Sequence, residues 1–98
     1  MLQTIIDAVQ NRRILSFVYD GLSRTVEPHA VGRSTAGHDV LRCYQTTGQS
    51  HHPPIPDWRF MEVRKIQNLV VLQNQNFASP RPGYRRGDRG MTVIYSQL

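Results

Sequence analysis

Two periodicities meet near residue 13, and any fold of this chain has to accommodate both. Leu2, Ile5, Ile6 and Val9 recur at helical spacing, leaving Gln3, Asp7, Gln10 and Asn11 for the wet side, which predicts a helix over residues 2–12. Thr4 with Asp7 three residues on has the spacing of a capping box, but Thr4 falls inside the apolar stripe, so the helix rests on its periodicity. From residue 14 the period becomes two. Ile14-Leu15-Ser16-Phe17-Val18-Tyr19 is rich in β-branched and aromatic residues and runs into Asp20-Gly21, a strong hairpin-turn signal.

Further strands are predicted over about 23–31, 38–46, 58–63 and 69–74. Pro28 marks a bend or an edge, because proline donates nothing to a ladder. Residues 32–37 are polar and turn-rich, Gly48 to Pro56 reads as a long polar loop, and Lys65 to Asn68 as a turn. One helix followed by five short strands suits a mainly β fold in the form of a small barrel, an architecture without exposed sheet edges. Residues 1–75 form this domain. Residues 76–98 are a Pro/Gly/Arg-rich extension ending in the apolar run Met91 to Leu98, which is expected to pack back on the domain or on a second subunit.

The 98 residues suffice for one domain, which buries roughly 65% of its unfolded surface, so dimer formation is a natural source of added stability. No apolar run approaches the ~20 residues that cross a bilayer, and the first residues lack the pattern of a signal peptide. The single cysteine, Cys43, excludes an internal disulfide and fits a cytoplasmic location. The net charge is +5, and Lys65 is the only lysine. Arginine favours planar, bidentate contact with phosphate or carboxylate, so its dominance points to anionic partners.

The order of turns and charges from Ile5 to Leu41 resembles the WYL domain of bacterial regulators. The features are the helix ending in Arg12-Arg13, the strand and Asp20-Gly21 turn, and the step Arg24-Thr25-Val26-Glu27-Pro28. The resemblance extends over residues 5 to about 72. It implies a five-stranded Sm/SH3-like barrel with an N-terminal α-helix, acting as a ligand-sensing or nucleic-acid-sensing module. Two of its motifs are altered. Asp39-Val40-Leu41 aligns with the Trp-Tyr-Leu triplet, and Met61-Glu62-Val63-Arg64-Lys65-Ile66 with Phe-Arg-Leu-Asp-Arg-Ile. The second exchange reverses a pair of charges, as an ion pair between Glu62 and Arg64 tolerates; Lys65 keeps a cation without the guanidinium fork. The residues ahead of the first strand leave no room for the helix-turn-helix that usually accompanies such a barrel, so direct sequence-specific transcription control is not expected.

Alternation along the third strand puts Leu41 and Cys43 in the core and His38, Val40, Arg42 and Tyr44 on the other face, an arrangement fit for anion binding or base stacking. His29 is a candidate for the same site or a histidine satisfied by a carbonyl. Arg24 either binds ligand or pairs with Glu27 or a carbonyl. Arg59 beside Trp58 supplies a cation and an indole, and Lys65 a further cation. Arg81, Tyr84, Arg85, Arg86 and Arg89 form a basic, aromatic footprint in the extension.

No metal or cofactor is expected, since the histidines lack ligating spacing and no phosphate loop or nucleophile elbow is present. The expected function is a non-enzymatic regulatory module for a phosphate-bearing ligand, single-stranded nucleic acid or nucleotide. The alternatives are a protein–protein or homodimerisation adaptor and, third, a metal-independent ribonuclease using His29 or His38.

Overall fold

The structure is a computed structural model describing residues 1–98. A helix, α1 (Leu2–Gln10), precedes six strands: β1 (Arg13–Tyr19), β2 (Leu22–Ser34), β3 (Asp39–Gly48), β4 (Asp57–Glu62), β5 (Gln67–Asn76) and β6 (Met91–Gln97). All strand pairs are antiparallel.

The helix begins one residue after Met1 with no side-chain cap, and Thr4 lies within it, so Thr4 and Asp7 form no capping box. Asp7 instead accepts from the Gln3 amide, 2.9 Å away. Ile5, Ala8 and Val9 are buried. The helix stops at Gln10, two residues short of expectation, because Arg12 takes a positive φ of 53° and turns the chain into β1. The Asp20-Gly21 turn has positive φ at both residues, as a two-residue hairpin requires, and sets Tyr19 opposite Leu22.

Strand β2 is the axis of the sheet. One of its edges pairs with β3. The other pairs with β1 as far as Val26 and then with β6 from Ala30 onward. Pro28 sits at the changeover, where that edge has no partner to receive an N–H. The segment expected to be turn-rich from residue 32 is instead strand to Ser34, because β6 supplies a ladder from far along the chain: Gly32 lies opposite Ile94 and Arg33 opposite Val93. Gly32 is needed for that approach. A β-carbon there would run into the Val93 carbonyl.

Six strands rather than five therefore make the sheet, and the sixth comes from the extension. The order is β4-β3-β2-β1-β5, with β6 beside β2, and the path does not close. The principal core lies between α1 and one face: Ile5, Ala8, Val9, Leu15, Phe17, Val26, Val31, Leu41, Cys43, Met61, Val63 and Ile66. A second, smaller cluster on the opposite face joins Ala30, Val40 and Met91, with Tyr84 and Ile94 packed on it. The extension thus covers part of the face that alternation alone leaves open to water. No helix is long and apolar enough to cross a membrane.

Candidate anion-binding sites on two faces of the sheet

Strand parity divides the expected ligand-binding residues. Residues directly opposite in an antiparallel pair point to the same face. Leu41 faces Met61 and Cys43 faces Arg59, so Arg59 belongs to the core side together with the fully buried Gln45. Arg24 is opposite Phe17, again on the core side. Arg42 lies opposite Phe60 and Tyr44 opposite Trp58, on the outer face. Arg24, His29, Arg42, Tyr44, Arg59 and Lys65 therefore do not make one site.

On the outer face the extension is fastened by Arg81. Its guanidinium grips the Glu27 carboxylate with bonds of 2.7 and 3.0 Å and lies over the Tyr44 ring at 4.9 Å. Glu27 is only 4% exposed, so this pair is a structural latch, and Arg81 is not free for a ligand. His29 is fully buried beside it. The carbonyl of Glu27 accepts from Nδ1 at 2.8 Å, which leaves Nε2 to accept the backbone N–H of Arg81 at 3.0 Å. Burial pushes the His29 pKa below its ordinary value, consistent with this neutral tautomer. Trp58, Phe77 and Tyr84 surround the imidazole with ring centroids 4.7, 5.3 and 5.2 Å away. His29 is thus a satisfied packing residue and not part of an open site.

Outside this cluster the chain 83–89 rims an open cavity of about 460 Å³ with Arg42 and Trp58 on its wall and Tyr84, Arg85, Arg86 and Arg89 around it. Asp88 is the only carboxylate there, and it is committed. Arg42 bonds it through Nε at 2.7 Å, and the Gly90 N–H donates to it at 2.9 Å. Burial opposes ionisation of Asp88, but the bonds from Arg42 and Gly90 outweigh it and hold the pKa below the usual carboxylate value. Arg42 also stacks on Phe60 at 4.2 Å. Arg85, Arg86 and Arg89 are exposed and form no ion pair. The Trp58 and Tyr84 rings lie 25° from parallel, centroids 6.2 Å apart. Their polar tips are anchored, the indole N–H on the Pro82 carbonyl and the phenol on that of Leu98.

At the core-side end of the sheet Arg24 is 5% exposed and has no carboxylate within ion-pair range. It donates to the Tyr19 carbonyl at 3.2 Å and to Gln45 Oε1 and Ser50 Oγ at 3.4 Å, while its Nε has no partner. The Glu27 carboxylate is out of reach on the opposite face. Arg59 donates to the same Gln45 oxygen at 3.2 Å and to the Pro54 carbonyl at 2.8 Å. Burial, and then the Arg59 charge, lower the Arg24 pKa below the ordinary arginine value.

Lys65 stands apart from both sites. It bonds Glu62 at 3.2 Å, and Arg64 approaches the same carboxylate at 3.6 Å, so these charges make the local ion pairs that the reversed motif accommodates. Burial pushes the Cys43 thiol up to about 12, leaving it protonated. Val40 belongs to the second cluster, and His38 lies just before β3, outside the strand that carries Arg42. The roles of Asp88 and Gln45 carry no local sequence signal; Trp58 is visible in the sequence beside Arg59, but its pairing with Tyr84 depends, as theirs do, on partners distant in the chain.

Comparison with protein-family models, curated proteins and solved structures finds no match. The two sites therefore stand on their own geometry.

Proposed function

We propose that this chain is a non-enzymatic, WYL-like binding module of Sm/SH3-like barrel form whose outer cavity takes a phosphate-bearing ligand, single-stranded nucleic acid or a nucleotide. The observation that carries this reading is the surplus of cations around the cavity. Arg42 is offset by Asp88, while Arg85, Arg86 and Arg89 have no protein anion. A guanidinium forks onto phosphate oxygens, and an anchored Trp58–Tyr84 wall offers a π-face to a base. Such stacking contributes about 1–3 kcal/mol per base.

Titration of labelled oligonucleotides and nucleotides at two salt concentrations tests the proposal. Binding should weaken as salt rises, and each of Arg86→Ala and Arg89→Ala should reduce the salt slope by about one. No binding at low salt rules the reading out.

A second reading is self-association through β5. Its outer edge has no strand beside it, and Val70 on it is 53% exposed. Light scattering of the full chain decides: a monomer at all concentrations excludes it.

A further inference from the structure

One buried charge in this fold lacks a counter-charge. Glu27, Asp88 and Glu62 each sit against a cation, with closest approaches of 2.7, 2.7 and 3.2 Å. Arg24 is more deeply buried than any of the arginines in those pairs, yet no carboxylate reaches it. The acids nearest the site are unsuited to neutralise it. Asp20 lies in the exposed hairpin turn, and Asp57 is half-exposed and reaches only Arg59, at 3.8 Å. A buried guanidinium normally has a counter-charge, because removing a charge from water without one costs several kcal/mol.

The bonds that Arg24 does make are long. Its three contacts span 3.2 to 3.4 Å, against a usual N–H···O distance of about 2.9–3.0 Å. Two of its contacts are side-chain oxygens, Gln45 Oε1 and Ser50 Oγ, and Arg59 draws on the former as well. A single amide oxygen thus accepts from two guanidinium groups, while the Arg24 Nε–H donates to nothing. One N–H from each of two guanidinium groups on a single oxygen, an orphaned donor and a hydroxyl match the donor demand of a tetrahedral oxyanion better than that of a carboxamide. The chain from Gly48 to Pro56 lies over the site, contributing Ser50 and the Pro54 carbonyl, and carries no regular structure beyond Gly48.

We infer that Arg24 and Arg59, with Ser50 and Gln45, form a second anion site at the core-side end of the sheet, specific for a phosphate-class oxyanion. It is separate from the outer cavity, because β3 turns Gln45 to one face and Arg42 and Tyr44 to the other. The ion neutralises Arg24 beneath the 48–56 segment, which Ser50 and the Pro54 carbonyl already hold over the site. The oxyanion is either free phosphate or the terminal phosphate of a monoester, and both present the same oxygens.

The test is calorimetric titration of the full chain, prepared free of phosphate, with inorganic phosphate and in parallel with a nucleoside 5′-monophosphate. Chloride holds the ionic strength constant. Arg24→Met and Arg59→Gln should each weaken phosphate binding at least about tenfold, the scale of one lost charge-assisted bond. Arg24→Lys, which keeps the charge and loses the fork, should fall between them and the parent. Each titration is repeated in an Arg86→Ala/Arg89→Ala background, which removes outer-cavity cations; phosphate binding that persists there and is lost on Arg24→Met belongs to the buried site, so failure here and failure of the outer-cavity reading are separable. Tighter binding of the monophosphate than of free phosphate, abolished by Arg24→Met, assigns the site to a monoester; equal affinities assign it to the free ion.

Should Arg24→Met not fold, Arg59→Gln and Ser50→Ala carry the same comparison. Absence of phosphate binding at millimolar concentration, or binding lost in the Arg86 and Arg89 variants and kept in the Arg24 and Arg59 ones, overturns the inference.

Discussion

Arg24 and Glu27 stand three residues apart on β2 and so face opposite sides of the sheet. The acid is held by Arg81 from the extension, and the arginine has no acid at all. An odd separation on a strand forbids the pairing that proximity in sequence suggests. What looks like a local ion pair is instead two separate long-range arrangements, one on each face.

The Glu27–Arg81 latch should matter for stability. Glu27→Gln keeps the shape and removes the charge, leaving Arg81 with a weaker acceptor. Urea unfolding should show a loss toward the lower end of about 1.5–3 kcal/mol, the range for hydrogen bonds to charged groups, because Arg81 is partly exposed. An unchanged midpoint would mean that the latch adds nothing.

His29 predicts a pH dependence with a definite sign. Its pKa is lower in the folded chain than the ordinary value of 6.5, so the unfolded chain takes up the proton first as pH falls. The stability it contributes is complete above about 6.5 and declines as pH drops toward the folded-state value. Protonation of Nε2 would also set an N–H against the Arg81 N–H. Denaturant midpoints from pH 7.5 downward should therefore fall, and His29→Gln should flatten the slope in that window. A parent midpoint that rises on acidification would contradict the neutral, buried imidazole.

Gly32→Ala places a methyl where the Val93 carbonyl passes. The cost should be about 1–3 kcal/mol, as for other overpacked sites, and should be concentrated at β6. Hydrogen exchange is the direct readout: amides of β6 should lose protection well before those of β1 and β3. Uniform loss across the sheet would argue against a locally docked strand.

Cys43 should be unreactive. With a thiol pushed up to about 12 and no exposed surface, it should resist aromatic disulfide reagents in the native state and react stoichiometrically in denaturant. Fast labelling of the folded chain would place it elsewhere.

The helix, the first hairpin and the core positions Leu41 and Cys43 are legible in the sequence because local period and turn chemistry determine them. Asp20-Gly21 needs no distant partner to make its turn. The continuation of β2 through Gly32 to Ser34 is hidden, since it depends on Met91–Gln97, and composition there reads as turn. The basic residues are visible as a class, but not their allotment. Arg81, Arg85, Arg86 and Arg89 look alike in sequence; only the fold shows that the first is bonded to Glu27 while the others rim a cavity. Likewise the exposed face of β3 was legible by alternation, and its cover by Met91 and Tyr84 was not.

Strand β6 and the loop before it give the outer cavity an unusual dependence. The loop bearing Arg85, Arg86 and Arg89 is tethered by Arg81 at one end and by the β6 ladder at the other, and both tethers land on β2. For the ligand proposed to be held by that loop, affinity and the docking of the last strand are therefore thermodynamically linked quantities. A ligand held by that loop raises the free energy needed to peel β6 away, and a substitution that loosens β6 lowers affinity without touching the ligand.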